Sequence, residues 1–210
     1  MPGFAELDAI TLDALRATGA TKWNRRDGAL GAFIAEMDYG IAPQITRALH
    51  REVERGLFGY LPPRYAHQMR ASVARYLCER HDWEVAESRI HEMPDVVAIY
   101  QAAIEHFSRP GSKVIVPTPA YMPLLSLPPT LGREVIEVPM TRTADGAGFR
   151  NDLAAIERAF DAGGQLLALC NPHNPTGRVF TRDELVAIED VVHRKGGRVF
   201  ADEIWMPLVF

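Results

Sequence analysis

The chain from about residue 89 onward repeats one pattern of apolar and polar residues. A short apolar run of strand length is followed by a longer stretch in which apolar residues recur every three or four positions, as on one helix face. Strand–helix alternation with continuously apolar strands predicts an α/β domain with a mainly parallel sheet and helices on both faces. The pattern predicts strands at residues 89–93, 113–116, 134–138, 166–170 and 198–202, and helices at residues 65–82, 97–107, 122–131, 151–162 and 182–195.

Local signals mark several helix ends. Thr181 followed by Glu184 has the sequence of a capping box, and Asn151 is the expected N-cap of the preceding helix. Nearer the start of the chain, Pro43 is expected to open a helix and Gly56 to end it. Proline suits the first helical turn and glycine suits the residue after the last one.

Composition narrows the class of protein. With 47% apolar and 24% charged residues among 210, the chain resembles a globular protein and not a disordered or coiled-coil one. A net charge of -4 provides no basic surface for nucleic acid or an anionic membrane, so neither partner is expected. The seven histidines lack the spacing of metal ligands, so no metal site is expected.

The sequence also indicates a cytoplasmic protein. Cys78 and Cys170 lie far apart without a CxxC spacing, which favours a reducing compartment over a disulfide framework. The N-terminus has neither the basic nor the apolar region of a signal peptide, and no apolar run reaches the roughly 18 residues of a membrane span.

The candidate chemistry lies at the ends of two apolar strands. The run ending at Cys170 continues into the loop CNPHNPTG, which holds Asn174 close to two prolines, and the last strand ends at Asp202. Because the carboxyl ends of parallel strands meet at one ligand-binding edge, the amide and the carboxylate are expected side by side. Taken singly, Asn174 would be a turn former and Asp202 a helix cap or ion-pair partner. The two motifs together favour a ligand site.

The segments CNPHNPTG and ADEI together resemble the pyridoxal-phosphate enzymes of fold type I, the aspartate aminotransferase superfamily of class I and II. The strings KW at residues 22–23, AEMDY at 35–39 and FGY at 58–60 are similar to those of its bacterial cystathionine β-lyase, or C–S lyase, branch. The resemblance implies pyridoxal 5'-phosphate as the cofactor. It also implies that residues 46–210 form the large cofactor-binding domain and residues 1–45 a segment of the small domain at the substrate edge.

Each demand of this cofactor has a candidate residue. A buried carboxylate must keep the pyridine nitrogen protonated, and Asp202 matches that acid. Asn174 matches the donor to the phenolic oxygen, and Tyr121, just past a strand end, matches the aromatic residue that stacks on the ring. The phosphate requires free backbone N–H groups at a helix N-terminus, which are expected from Val96 and Val97.

The resemblance implies further roles in the first sixty residues. Trp23 and Ala35 match positions that border the substrate, and Tyr60 matches the tyrosine that reaches the cofactor phosphate of the neighbouring subunit. A homodimer with shared sites and a small amino-acid substrate are therefore implied.

The chain departs from the family pattern at three places. Asp95 stands where a small residue is common beside the phosphate, and its carboxylate is expected to point away from that dianion. Trp205 stands where the branch often has a histidine, and an indole cannot titrate. No lysine follows Asp202, since the lysines of the chain are Lys22, Lys113 and Lys195.

The absence of the Schiff-base lysine implies that residues 1–210 are the front half of such an enzyme and are inactive alone, so no catalytic residue is assigned. In the family's sheet, later strands lie between the strand expected at residues 89–93 and the strand that ends at Asp202. We therefore expect residues 89–93 to have lost their sheet neighbours.

Three functions remain open. The first is a C–S β-lyase acting on small sulfur amino acids such as cystathionine, and the second is a class I/II aminotransferase that uses the same cofactor. The third is a non-catalytic protein, either a truncated product or one used for binding or dimerisation. A Rossmann dehydrogenase or a P-loop enzyme is disfavoured because neither GxGxxG nor GxxxxGKS/T occurs.

Overall fold

The computed structural model describes residues 7–56, 58–144, 146 and 148–209. The chain forms two compact units, one ending at Met69 and the other beginning at Arg70. The assignment of residues 1–45 to a small domain and of the remainder to a large domain stays a prediction.

The first unit is helical. It contains α1 (Leu12–Ala17), α2 (Thr21–Asn24), α3 (Pro43–Arg55) and the first turns of α4 (Pro63–His81). Pro43 lies in the first turn of α3, and Gly56 ends that helix with a left-handed φ of 64°, which costs glycine no steric strain. Both predicted ends of α3 are confirmed.

The second unit is an α/β domain. Its main sheet has the strand order β2-β1-β5-β6 with every pair parallel, and β3 and β4 form a separate antiparallel pair. The predicted fold class is confirmed. After α4 and the 3-10 helix Glu87–Arg89, the elements are α5 (Val96–Phe107), β1 (Lys113–Thr118), α6 (Met122–Thr130), β2 (Val135–Pro139), β3 (Thr141–Arg142), β4 (Phe149–Arg150), α7 (Leu153–Asp161), β5 (Gly164–Cys170), α8 (Arg182–Arg194), β6 (Arg198–Asp202) and the 3-10 helix Met206–Leu208.

Helices cover both faces of the main sheet, because successive strand residues point to opposite faces. Helices α7 and α8 pack on one face through buried side chains that include Ile115, Ile156, Phe160, Leu167 and Ile188. Helices α5 and α6 pack on the other face through a second buried cluster that includes Tyr100, Ile104, Val114, Leu166 and Phe200. Burying each large apolar side chain contributes about 1.5–3 kcal/mol, so the two clusters hold the sheet between its helical layers.

Helix α5 runs antiparallel to the strands. Near its last turn the Ile104 carbonyl accepts a hydrogen bond from the Arg133 side chain (3.2 Å), just before β2 begins. The Arg109 N–H, just beyond α5, donates to the Gln165 side chain at the start of β5 (2.6 Å). The end of α5 therefore lies at the amino edge of the sheet. Its first turn, where Val96 packs against the core, lies towards the carboxyl edge.

Two local predictions are wrong. Residues 89–93 do not form a strand, since neither sheet formed by the described residues includes them. A strand needs a neighbour for its N–H and C=O groups, and these residues have none among the described strands, in line with the expected loss of their sheet neighbours. The N-cap of α7 is Asp152 and not Asn151, because the Asp152 Oδ1 accepts the Ala155 N–H at 2.9 Å.

The capping box at the start of α8 is confirmed. The Thr181 Oγ1 accepts the Glu184 N–H (3.3 Å), and the Glu184 carboxylate accepts the Thr181 N–H (2.8 Å).

Across the part of the chain that the structure describes, no helix is long and apolar enough to cross a membrane. Those same residues contain no group of three or more His, Cys, Asp or Glu side chains placed to hold a metal ion.

Candidate functional site

The carboxyl edge of the main sheet carries the candidate residues of the second unit. Strands β1, β5 and β6 are consecutive in the sheet, so the segments that follow them begin at one edge. Cys170 and Asp202 are paired across β5 and β6, and the Asn171 N–H donates to the Asp202 carbonyl at 2.9 Å. The loop that carries Asn174 therefore starts directly beside Asp202.

Asp202 is a buried carboxylate, with only 4% of its surface exposed. Its Oδ1 accepts one hydrogen bond, from the Ile204 N–H at 3.2 Å, and no Lys, Arg or His side chain pairs with it among the described residues. Burial raises the pKa of Asp202 above its usual range, because a charge without a partner is poorly solvated there. A positively charged group beside Asp202 would stabilise the ionised form.

The loop CNPHNPTG is held by its own side chains. His173 is buried, and its Nδ1 lies 2.8 Å from the Thr176 Oγ1. The Asn171 Oδ1 accepts the Phe180 N–H (2.9 Å), which closes the loop onto the segment that leads to α8. Burial lowers the pKa of His173, so its ring is uncharged at neutral pH. These contacts restrict the backbone that carries Asn174.

Cys170 connects this loop to the strand, a contact that sequence reasoning missed. Its Sγ accepts the Asn174 N–H at 3.5 Å and donates to the Pro172 carbonyl at 3.3 Å. Burial raises the pKa of the Cys170 thiol, and the neighbouring Asp202 charge raises it further. Cys170 thus contacts the Asn174 backbone and lies beside Asp202. The sequence feature that could have indicated this contact is a cysteine at the last position of an apolar strand.

Arg178 fixes the far end of the same loop. Its guanidinium contacts both oxygens of the Glu184 carboxylate (2.6 and 2.7 Å) and donates to the Phe149 carbonyl (3.1 Å). Glu184 also belongs to the capping box of α8. The loop is therefore tied to both α8 and β4.

The helix N-terminus expected to bind the phosphate is that of α5. Its first N–H groups, those of Val96 and Val97, have no acceptor within the helix. The Asp95 carboxylate, whose orientation relative to the phosphate stays a prediction, lies at this helix end. It caps the helix, and its Oδ1 accepts the Ala98 N–H at 2.7 Å. Capping satisfies an otherwise unpaired donor, which stabilises a helix by about 1 kcal/mol.

Tyr121 lies where β1 leads into α6. Its carbonyl accepts the Leu124 N–H (2.9 Å), and 40% of the residue is exposed. The buried Tyr100 hydroxyl donates to the Leu124 carbonyl (3.1 Å), which fastens the first turn of α6 to α5. The Tyr121 ring is accessible to a ligand at the carboxyl edge.

The remaining site predictions fall in the first unit. The Trp23 Nε1–H donates to one oxygen of Asp38 (2.7 Å), and the Lys22 ammonium donates to the other (2.8 Å). Hydrogen bonds from Lys22 and Trp23 lower the pKa of Asp38. Ala35 and Tyr60 are exposed, and Tyr60 completely so. The assignment of Trp23, Ala35 and Tyr60 to substrate and to a neighbouring cofactor stays a prediction.

The family model "Aminotransferase class I and II" matches residues 34–210. The chain belongs to this family. The match includes the three strand ends of the carboxyl edge and the first turn of α5, whereas Trp23 lies outside it.

Similar proteins of this family include lyases and an aminotransferase. Cystathionine beta-lyase of Corynebacterium glutamicum is 36% identical over 200 residues, covering 95% of this chain and 52% of that protein. The crystal structure of a putative PLP-dependent beta-cystathionase from Corynebacterium diphtheriae matches with a TM-score of 0.81 and 35% identity, covering 93% of this chain and 50% of that one. A PLP-bound putative aminotransferase from Clostridium difficile matches with a TM-score of 0.79 and 28% identity, covering 90% and 49%.

The chain spans about half the length of the curated relatives and solved structures that it matches. The shared half is the one that contains the carboxyl edge described here. Residue roles at that edge can therefore be proposed from this chain, whereas the reactions and substrates of these relatives involve more than the half it spans.

Proposed function

We propose that this chain belongs to a pyridoxal-phosphate-dependent C–S β-lyase that acts on small sulfur amino acids of the cystathionine type. The observation that carries the proposal is the buried Asp202, a carboxylate with no cationic partner among the described residues, at the edge where parallel sheets bind ligands. Similar proteins that carry the names cystathionine beta-lyase and beta-cystathionase support this reaction class. When bound, pyridoxal phosphate supplies an electron-withdrawing ring that acidifies the α-carbon of an amino acid.

The residues at the carboxyl edge fit the cofactor's polar groups. Asp202 would hold a proton on the pyridine nitrogen, and its burial makes that charge pair more favourable than it would be in water. The Asn174 amide would donate to the phenolic oxygen, and the exposed Tyr121 ring would cover one face of the pyridine. The N–H groups of Val96 and Val97 would hold the phosphate at the first turn of α5.

Neither lysine of the second unit lies at this edge. Lys113 begins β1 at the amino edge and pairs with Glu134 (2.8 Å), and Lys195 follows α8 and pairs with Asp161 (2.7 Å). Lys22 pairs with Asp38 in the first unit. We propose that the full-length protein supplies the lysine amine that binds the cofactor. This lysine would lie in a segment that corresponds to the half of the relatives not spanned by this chain.

We also propose a cytoplasmic homodimer. Helix α3 exposes an apolar stripe at Ile45, Leu49 and Val53, and the fully exposed Tyr60 follows it closely in the chain. A second subunit would cover the stripe and receive Tyr60 at its phosphate. Sedimentation equilibrium tests this proposal, because Leu49→Asp should shift the mass from dimer to monomer. The unpaired thiols of Cys78 and Cys170 support a reducing compartment.

An aminotransferase is the second candidate, supported by the family description and by the similar Clostridium difficile protein. Both reactions require the same acid, amide and stacking ring. They differ in the products, because β-elimination releases a thiol, ammonia and pyruvate, whereas transamination transfers the amino group to an acceptor keto acid. A non-catalytic protein would give neither set of products.

The test is a product assay on the full-length protein with pyridoxal phosphate and cystathionine. Equal amounts of pyruvate and free thiol are expected, without need for an acceptor keto acid. Asp202→Ala should abolish turnover but retain part of the cofactor affinity, and Asp190→Asn, an exposed substitution on α8, should leave turnover unchanged. Keto acid formed only in the presence of an acceptor would replace the lyase with the aminotransferase. No product of either kind would leave only the non-catalytic function.

A further inference from the structure

A cavity lies beside α7 and α8, and none of the candidate cofactor residues lines it. Its volume is about 580 Å³, within the range of small-molecule sites. Helices α7 and α8 run side by side in the same direction, because Lys195 at the end of α8 pairs with Asp161 at the end of α7 (2.7 Å). Their first turns therefore lie together, and residues of β3 and β4 complete the wall of the cavity.

Two opposite charges on this wall have no ion-pair partner among the described residues. The Arg150 Nε–H donates to the Thr141 Oγ1 (3.2 Å), which leaves the two terminal amino groups without an acceptor among the described residues. Asp183, in the first turn of α8, likewise has no hydrogen-bonded or ion-paired partner there. The neighbouring Glu184 is already paired with Arg178. The cavity therefore offers one cation on the strand side and the unpaired Asp183 carboxylate on the helix side, besides the carboxylates of Asp152, which caps α7, and of Glu184.

Part of the remaining wall is apolar, beside the polar Thr141, Asn151 and Asp152. Leu153, Ala187 and Ile188 line the cavity, and Ile188 belongs to the buried core beneath it. An apolar side chain of a ligand could be removed from water against these residues, at about 25 cal/mol per Å² of buried surface.

Asn151 belongs to the same wall and has an unsatisfied side-chain amide. It lines the cavity between β4 and α7, and both polar atoms of its side chain are buried without a hydrogen-bond partner in the described structure. Its neighbour Asp152 performs the capping that Asn151 was predicted to perform. Buried amides without partners are rare in folded proteins, and such groups commonly bind a ligand or an enclosed water.

We propose that this cavity binds a free amino acid with an apolar side chain, at a site distinct from the carboxyl edge. The ligand carboxylate pairs with Arg150, which can present two parallel N–H groups to it. The ligand ammonium pairs with Asp183, and the side chain packs on Leu153, Ala187 and Ile188. The Asn151 amide, which is closed off from the cavity, binds an enclosed water beneath the wall.

The test is calorimetric titration of the protein with L-leucine, with 4-methylpentanoate and 3-methylbutylamine as matched ligands that lack the ammonium or the carboxylate. Saturable binding of leucine is expected, and each matched ligand should bind at least about tenfold more weakly, since it loses one charge pair. Arg150→Gln and Asp183→Asn should each weaken leucine binding by about tenfold or more. Arg158→Gln on α7 and Asp190→Asn on α8, exposed and outside the cavity lining, are the control substitutions.

Circular dichroism and thermal melting establish that each variant is folded before its affinity is compared. Three results would each overturn the proposal: no saturable leucine binding up to about 10 mM, equal binding of 4-methylpentanoate, or unchanged leucine affinity in the folded Arg150→Gln and Asp183→Asn proteins. If leucine bound at the carboxyl edge instead, its affinity would be unchanged in these two variants.

Discussion

Replacing Asp202 with Asn should stabilise the fold of the cofactor-free protein. Asn keeps the shape of the side chain and an oxygen that can accept the Ile204 N–H, but it removes a charge that is 4% exposed and lacks a cationic partner among the described residues. A buried polar group without adequate partners costs about 1–3 kcal/mol, and more when it is charged. One hydrogen bond to Asp202 offsets part of that cost, so we expect a gain of about 1–2 kcal/mol in unfolding free energy at neutral pH.

The pH dependence of this gain has a definite sign. Burial raises the pKa of Asp202 above 3.8, so the folded state binds more protons than the unfolded state between 3.8 and the folded pKa. The unfolding free energy of the wild type therefore falls as pH rises through this window, because Asp202 loses its proton and becomes a buried charge. The advantage of Asp202→Asn should be small below this window and complete above it.

Urea denaturation of both proteins across this pH range measures the effect, with Asp190→Asn as a control at an exposed position of α8. Saturating pyridoxal phosphate should then stabilise the wild type more than Asp202→Asn, since only the carboxylate gains a charge partner. A wild type that is more stable than Asp202→Asn at neutral pH without cofactor would refute the reasoning. It would mean that Asp202 is already neutralised within the fold.

Three further changes have expected outcomes. Asp95→Asn keeps a cap on α5 but removes its charge, so the affinity for pyridoxal phosphate, measured by fluorescence quenching, should rise about threefold to tenfold; weaker binding would mean that the carboxylate assists the phosphate site. Gly164→Ala should cost about 1–3 kcal/mol in a melting or urea experiment, since its Cβ would lie 2.5 Å from Ile115 Cδ1, whereas Gly59→Ala meets nothing within 4 Å; equal stabilities would contradict the packing of β5 on β1. The lowered pKa of His173 predicts that unfolding free energy falls as pH drops below 6.5, the ordinary value, and His173→Gln should reduce that fall; an unchanged pH profile would place the titration elsewhere.

The elements of the main sheet could be predicted because each strand is a continuous apolar run between two helical layers. For this reason β1 and β5 were recognisable from their sequence. The helices on both faces were recognisable because their apolar residues recur every three or four positions. Residues 89–93, Arg-Ile-His-Glu-Met, lack such a continuous apolar run and do not form a strand. Pairing depends on a neighbouring strand and not on the run itself, so the sequence of one segment could not decide it.

The site was predictable where a side chain had one chemical use and less so where it had several. Asp202 ends β6 and Asn174 follows β5. The direction of these two strands therefore predicted the edge of the sheet at which both residues lie. Asp95 can repel a phosphate or cap a helix, and the local cap prevails in the cofactor-free structure because it satisfies the Ala98 N–H. The Cys170 contact to Asn174 depends on how the loop folds back, which no residue spacing specifies.

The central claim is that Asp202 holds a proton on the pyridine nitrogen of pyridoxal phosphate at the carboxyl edge of this sheet. The most direct measurement is the nitrogen-15 chemical shift of ring-labelled pyridoxal phosphate bound to the full-length protein. At neutral pH the shift should be that of a protonated pyridine in the wild type and of an unprotonated pyridine in Asp202→Asn. The same shift in both proteins would contradict the claim.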